Sequence, residues 1–297
     1  MSTVVHTHAA SGKGGSTASA GKKRRMVSEA DLRGRWWRFA LILVLTAFVL
    51  VPIGVVAVLA FTPGTSSTTS GFTVENFINV FAETLASTWL SNSLVVTLAT
   101  VVVSVAVAAP AGYVLSRGRS KAVSGYSLLL FVMQSLPIIT SVVPLFILFA
   151  NLGITDNLVG ITIVYVASTM AVATWMMAAY FDSIPVSLEE ASWIDGCSVF
   201  GSFSKVVLRN SLPGVLSTAI FAFLLAWNDY LVAIVFLRTD VNFTLPVGVQ
   251  SFFQQNQTDW GSVMALAVVM MLPPIIVFAG LNKYFSVGGI GGSLAGR

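Results

Sequence analysis

The chain has 297 residues, of which 56% are hydrophobic and only 9% charged, with a mean hydropathy of +0.86. A soluble domain carries about 25% charged residues, so most of this chain is never solvated. The net charge of +4 does not describe a nucleic-acid binder, because the basic residues fall in short blocks between apolar runs, with no stripe interleaved with exposed aromatics. The single cysteine, Cys197, excludes an intrachain disulfide and a thiolate metal cluster, and His6 and His8 stand in a polar leader away from carboxylates.

Residues 1–38 form that leader, rich in Ser, Gly, Ala and Thr and then basic at Lys22, Lys23, Arg24, Arg25, Arg33, Arg35 and Arg38. The first two dozen are expected to be disordered, and the basic part to lie against the anionic cytoplasmic leaflet. Residues 39–287 then hold six apolar runs, at about Phe39–Phe61, Ser93–Ser116, Tyr126–Ala150, Leu158–Phe181, Val215–Leu237 and Gly261–Leu281. Each is long enough to cross a hydrocarbon core of about 30 Å as a helix. Barrel-like alternation is absent, so the fold class is an all-α membrane protein with six transmembrane helices. The first run exceeds the apolar core of a cleaved signal and follows a long leader, which makes it an uncleaved signal-anchor. With the N-terminus in the cytoplasm, every Lys and Arg except Arg238 falls inside, as the positive-inside rule requires, so both termini are expected to be cytoplasmic. Pro52, Pro110, Pro137, Pro144, Pro273 and Pro274 lie in or near the runs and imply kinked helices, either for packing or for rocking around a central pathway.

The segment between the fourth and fifth runs, residues 182–213, differs from the other loops. Ser187 and Glu190 have capping-box spacing, so a short helix should start at Leu188, with Glu190 reaching back from its third position. Gly196 is placed to end it in a left-handed conformation. Val199, Phe200, Phe203, Val206 and Val207 then form the apolar stripe of a second helix. Two short amphipathic helices around a glycine make a knob whose apolar stripe calls for a partner surface.

Glu190-Ala191-Ser192, followed by Asp195-Gly196, Phe203 and Val207-Leu208, resembles the "EAA" loop of bacterial ABC-importer permeases. The Asp-Gly pair, the segment Ala226–Leu231 (AWNDYL) and the glycine-rich ending 288–297 resemble the carbohydrate branch that contains the maltose-transporter permeases. Ser192 departs from that loop, where Ala is usual, as does Arg209, where Pro is usual. The resemblance implies a type I ABC-importer permease-like bundle in a bacterial cytoplasmic membrane. It also implies four kinds of partner: a homologous second permease, an ABC ATPase dimer, an extracytoplasmic substrate-binding protein and the surrounding lipid. ATP and Mg would sit on the ATPase, with no cofactor on this chain and no nucleic-acid partner. Glu190, Ala191, Asp195, Gly196, Phe200 and Phe203 would dock the ATPase, and the tail could reach between its subunits.

Asn228 and Asp229 place polar groups in the fifth run, where a carboxylate costs about 2.5–3.5 kcal/mol at a helix centre. They read either as a clasp between helices or as a pathway contact. Gln254, Gln255 and Asn256 lie in an outside loop with aromatic neighbours, suited to sugar rings, and the resemblance implies a contact there with the binding protein. No P-loop, HExxH or nucleophile elbow occurs, so the chain is read as a transport subunit and any ATP is hydrolysed elsewhere. Two alternatives stay open: an ABC permease for another small solute (a polyamine, sugar phosphate or peptide), and a self-contained secondary transporter.

Overall fold

The computed structural model describes residues 29–63, 71–253 and 259–288, and they contain thirteen α-helical segments. The chain divides at Pro52 into two compact units. The first, taken by itself, is the opening stretch of α1 (Glu29–Ala60), with Pro52 inside the helix. This helix begins at Glu29, well before the apolar run at Phe39. Residues 29–38, assigned to the leader from their charge, therefore lie in its first turns. Nothing between Glu29 and Phe39 breaks a helix except Gly34, whereas the run boundary marks only where hydrocarbon begins.

In the second unit α2 (Glu75–Glu83) and α3 (Ala86–Arg117) come first, followed by α4 (Lys121–Ser135), α5 (Ile138–Asn151) and α6 (Leu158–Asp182). Next come α7 (Ser187–Ile194), α8 (Val199–Ser202), a π-helical turn (Phe203–Val207) and α9 (Leu208–Asn210), the last three running on as one helix. Helices α10 (Leu212–Asn228) and α11 (Leu231–Phe236) precede a loop holding α12 (Leu245–Gly248), and α13 (Trp260–Gly288) closes the described chain.

Four helices are long and apolar enough to cross a membrane unaided: α1 from Gly34, α3, α6 and α13 up to Leu281. Two bent helix pairs raise the number to six if each pair is one span. The third apolar run is one of these, bent by 96° between α4 and α5. Leu136, forced out of the helical region by the following proline, is extended at ψ 121°, as is Pro137 at ψ 128°. The other pair joins the helix Val199–Asn210 to α10 with a bend of 77°. The fifth run is interrupted separately, beyond that pair: α10 stops at Asn228, Asp229 is extended at ψ 128°, and the chain re-enters a helix at Leu231.

The core forms where α3 and α6 lie against each other. Gly112 makes this possible, since a Cβ there would come within 2.9 Å of Thr174 O and Ala178 N of α6. Ala108, Ala109 and Ala173 keep the contact shallow, and Ser104 Oγ and Thr169 Oγ1 share a buried hydrogen bond of 2.7 Å across it. Trp227 of α10 is buried and donates through Nε1 to Met270 O of α13 at 3.1 Å, which fixes those two helices together.

At the end of the bundle opposite α7, the loop after α11 is tied to the start of α3. Trp89 Nε1 donates to Asp240 O at 2.7 Å, and Asn92 Nδ2 donates to Val241 O and Phe243 O at 2.9 Å each. Asp156, held at φ +52°, latches the α5–α6 loop onto the same segment. Its Oδ1 accepts Arg238 N–H at 2.8 Å and Thr239 N–H at 3.1 Å, and its Oδ2 accepts the Thr239 hydroxyl at 2.8 Å. Arg238 itself stacks over the Phe146 ring, with Cζ 4.9 Å from the centroid.

Candidate functional site

The expected knob forms where α6 ends, with one change at its entry. The helix α7 starts at Ser187, not Leu188, and its N-cap is Val186, with no side-chain capping bond. Pro185 opens a tight turn in which Leu188 N–H donates to Pro185 O, and the N–H groups of Glu189 and Glu190 donate to Val186 O. Those donors are the ones a Ser187 hydroxyl would have capped, so the capping box has nothing to do. Glu190 is left exposed on the outer face beside exposed Ala191.

The exit is as expected. Gly196 sits at φ +86°, its N–H donates to Trp193 O at 3.0 Å, and Cys197 N–H donates to Ser192 O at 2.9 Å. This is a Schellman pair closing the last carbonyls of α7. Ser198 then caps the next helix by accepting Gly201 N–H at 3.1 Å. Around the turn, Trp193, Ile194, Val199 and Phe200 are exposed, Ile194 by 87%, and Asp195 is exposed beside them.

Phe203, expected on this docking surface, is buried instead. Its ring lies 4.9 Å from that of Tyr113 and 6.1 Å from that of Phe181. The π-helical turn widens the helix here, with Leu208 N–H reaching back to Phe203 O, and turns Phe203 and Val207 towards the bundle. The stripe therefore splits: Val199 and Phe200 face out, while Phe203 and Val207 fix the knob to α3 and α6. An apolar cavity of about 460 Å³ remains between Ala106, Ala109 and Pro110 of α3 and Phe200, Phe203 and Leu208 of the knob.

Polar residues that sequence patterning passed over hold the knob in place. Glu189, adjacent to Glu190, is only 1% exposed. Its Oε1 accepts Arg117 Nε at 2.8 Å and lies 2.7 Å from Nη2, and its Oε2 accepts the Tyr113 hydroxyl at 2.6 Å. Arg117 also donates to Ile184 O at 3.1 Å and to Ser116 Oγ at 3.0 Å, and Ser116 in turn donates to Asp182 Oδ1 at 2.5 Å. The ends of α3, α6 and α7 thus meet at one guanidinium. Ser192 is buried; its hydroxyl donates to Glu189 O at 2.8 Å and shares a second hydrogen bond of 2.7 Å with Ser202 Oγ, which stitches α7 to α8.

In the broken fifth span, Asp229 Oδ1 accepts the Tyr165 hydroxyl of α6 at 2.8 Å and the N–H groups of Val232 and Ala233 at 3.0 and 3.1 Å. One oxygen therefore caps α11 and joins two helices. Asn228 is exposed and donates to Leu224 O of its own helix at 2.8 Å. Gln254, Gln255 and Asn256 lie outside the described residues, as do residues 289–297 of the tail. On either side of that loop, Phe253 and Trp260 stack edge to face at 5.9 Å. Among the described residues, no group of His, Cys, Asp and Glu could hold a metal ion.

Residues 108–287 match the family model described as binding-protein-dependent transport system inner membrane component. An inner membrane ABC transporter permease protein of Escherichia coli, YcjP, is 33% identical over 227 residues, covering 76% of this chain and 81% of the relative. A maltodextrin transport system permease protein of Bacillus subtilis, MdxG, is 28% identical over 275 residues, covering 91% of this chain and 99% of the relative. Among solved structures, a chain of a bacterial ABC transporter involved in the import of the acidic polysaccharide alginate superposes with a TM-score of 0.74. It is 24% identical, covers 87% of this chain and 98% of its own length, and shares the fold.

Proposed function

The chain belongs to the binding-protein-dependent transport system inner membrane component family, and on that premise we propose that it is the permease subunit of an ATP-driven importer that carries a carbohydrate into the cell. The observation that carries this reading is the α7–Gly196–α8 knob. Its outer face combines Ile194, Val199 and Phe200 with the carboxylates Glu190 and Asp195, while its inner face is locked to α3 and α6. An exposed apolar patch rimmed by charge suits a protein partner. A separate ATPase dimer fits that role, because an ATP-driven importer whose permease carries no P-loop takes its ATPase from another chain.

In this reading the knob and both termini face the cytoplasm, and a second, homologous permease completes the pathway. The binding protein docks at the opposite end, where the loop after α11 is anchored on Trp89 and Asn92. ATP-driven closure of the ATPases moves the knob and exchanges inward- and outward-facing states, each ligand acting through its preference for one state. The carbohydrate assignment draws support from the maltodextrin permease that aligns along 91% of this chain, and from the Asp195-Gly196 and Asn228-Asp229 pairs.

The test is reconstitution of this chain with its partner permease, ATPase and binding protein in proteoliposomes, with labelled maltodextrin and labelled polyamine as competing solutes. ATP-dependent maltodextrin uptake is the expected result. Polyamine uptake alone would move the chain to another solute class, and uptake without any ATPase would overturn the importer reading. In a Cys197→Ser background, a cysteine at Ile194 should cross-link to the ATPase.

A further inference from the structure

The pairing of buried Glu189 with half-buried Arg117 needs an explanation that stability alone does not give. A carboxylate withdrawn from water, even with a partner, rarely stabilises a fold more than an apolar residue of the same volume would. Phe181, Ile184, Phe203 and Val207 already supply an apolar seat for the knob. An ion pair differs from that seat in being directional. Arg117 grips one carboxylate oxygen through Nε and Nη2, and Tyr113 grips the other, so Glu189 can neither slide nor rotate against α3. Both grips belong to the last turns of α3, and that stretch lies just beyond Pro110, where the helical hydrogen-bond ladder is interrupted. Beside Pro110 lies the apolar cavity between α3 and the knob, room into which α3 can bend.

We propose that Glu189 and Arg117 form a rigid strut that turns displacement of α7 into bending of α3 at Pro110, making Glu189 a positioning residue for transport coupling. Glu190, one position on and exposed, belongs to the docking face, whereas Glu189 belongs to the transmission. The division follows from helix geometry, which points adjacent side chains in directions about 100° apart. This inference rests on the proposal that the knob docks an ATPase, and the two can fail separately.

The experiment uses the full importer in proteoliposomes and compares wild type with Glu189→Gln and Tyr113→Phe. Three quantities are read: ATPase retained on purification, ATP hydrolysis, and solute transported per ATP. Glu189→Gln keeps the side-chain shape and removes the charge. It should retain the ATPase and its hydrolysis while solute per ATP falls about tenfold, within the range of a coupling free energy between two sites. Tyr113→Phe leaves the ion pair in place and frees one oxygen, so a smaller fall with full ATPase retention is expected. Unchanged solute per ATP in Glu189→Gln overturns the strut while leaving the docking reading intact. If Glu189→Gln does not accumulate, Tyr113→Phe decides, and wild-type coupling in that variant overturns the strut. If wild type itself retains no ATPase, it is the docking reading that fails.

Discussion

The hydroxyl of Tyr165 and the carboxylate of Asp229 meet at 2.8 Å, and the same carboxylate oxygen caps the helix that restarts at Leu231. Asp229 is therefore tied to the bundle by three donors, one from α6 and two from the first turn of α11. Asp229→Asn keeps an acceptor of the same shape and should assemble normally. Asp229→Leu removes the cap and the clasp together and should lower complex yield. The clasp itself contributes modestly, since membrane hydrogen bonds average about 0.6 kcal/mol, and the lost cap adds about 1 kcal/mol. Uptake and complex yield measured on both variants separate this from a role of the charge in the pathway, where Asp229→Asn alone would abolish uptake in an intact complex.

At Gly196 two substitutions separate conformation from charge. A Cβ there meets open space among the described residues, so Gly196→Ala carries only the left-handed backbone penalty of about 1–2 kcal/mol. It should lower the melting temperature slightly and retain part of the uptake. Gly196→Asp adds a carboxylate beside Asp195 on the outer face, and should insert normally while losing both ATPase binding and uptake. Equal behaviour of the two variants in an ATPase pull-down would show that the turn angle alone matters.

Some of this was legible in the sequence for clear physical reasons. Hydrocarbon thickness sets span length, so apolar runs located the helices α1, α3, α6 and α13, and only a residue tolerant of positive φ could stand at Gly196. Pro137 signalled a kink, but its break of 96° comes from Leu136 and Pro137 both being extended, which composition does not specify. Glu189 was hidden because Glu189 and Glu190 are chemically alike and only three-dimensional packing decides which faces in. Arg117 counted as an orientation charge, although it is also the hub of the α3–α6–α7 junction. Amphipathic spacing promised a docking role for Phe203, yet the π-helical turn rotated it inwards.

The Ser192–Ser202 hydrogen bond invites a double-mutant cycle. Ser192→Ala leaves the Ser202 hydroxyl buried without its partner, which costs about 1–3 kcal/mol. Replacing both serines by alanine removes donor and acceptor together and should recover much of that loss. Thermal unfolding of the purified complex checks this. Additive losses would mean that the two hydroxyls do not interact.

Topology is tested by thiol labelling. Native Cys197, half-buried at the knob, should react with a membrane-impermeant maleimide only after permeabilisation. A cysteine at exposed Gly71, placed in a Cys197→Ser background, should label in intact cells. Labelling of native Cys197 from outside would invert the arrangement.

The latch at Asp156 makes a prediction whose sign depends on pH. Burial pushes its carboxyl up, but the N–H groups of Arg238 and Thr239, with the Thr239 hydroxyl and the Asn242 amide, outweigh burial and hold it below the ordinary carboxylate range. A depressed folded-state pKa contributes stability that is fully present above the unfolded value of about 3.9 and is lost as pH falls through the folded value. Asp156→Asn should therefore destabilise only modestly, by roughly 0.5 kcal/mol at this largely solvated and screened site, between pH 5 and 8, with no slope across that window. The gap from wild type should start to narrow only as pH falls below the unfolded value of about 3.9, and should close once pH is below the depressed folded value, where the native carboxyl is itself protonated. Asn tolerates the +52° backbone, so the comparison isolates the charge, whereas Asp156→Ala adds conformational strain and should fall further. Melting temperatures of the purified chain followed from pH 7 down into the acid range below about pH 4 provide the check. A gap that widened on acidification would mean that the latch does not act through its carboxylate.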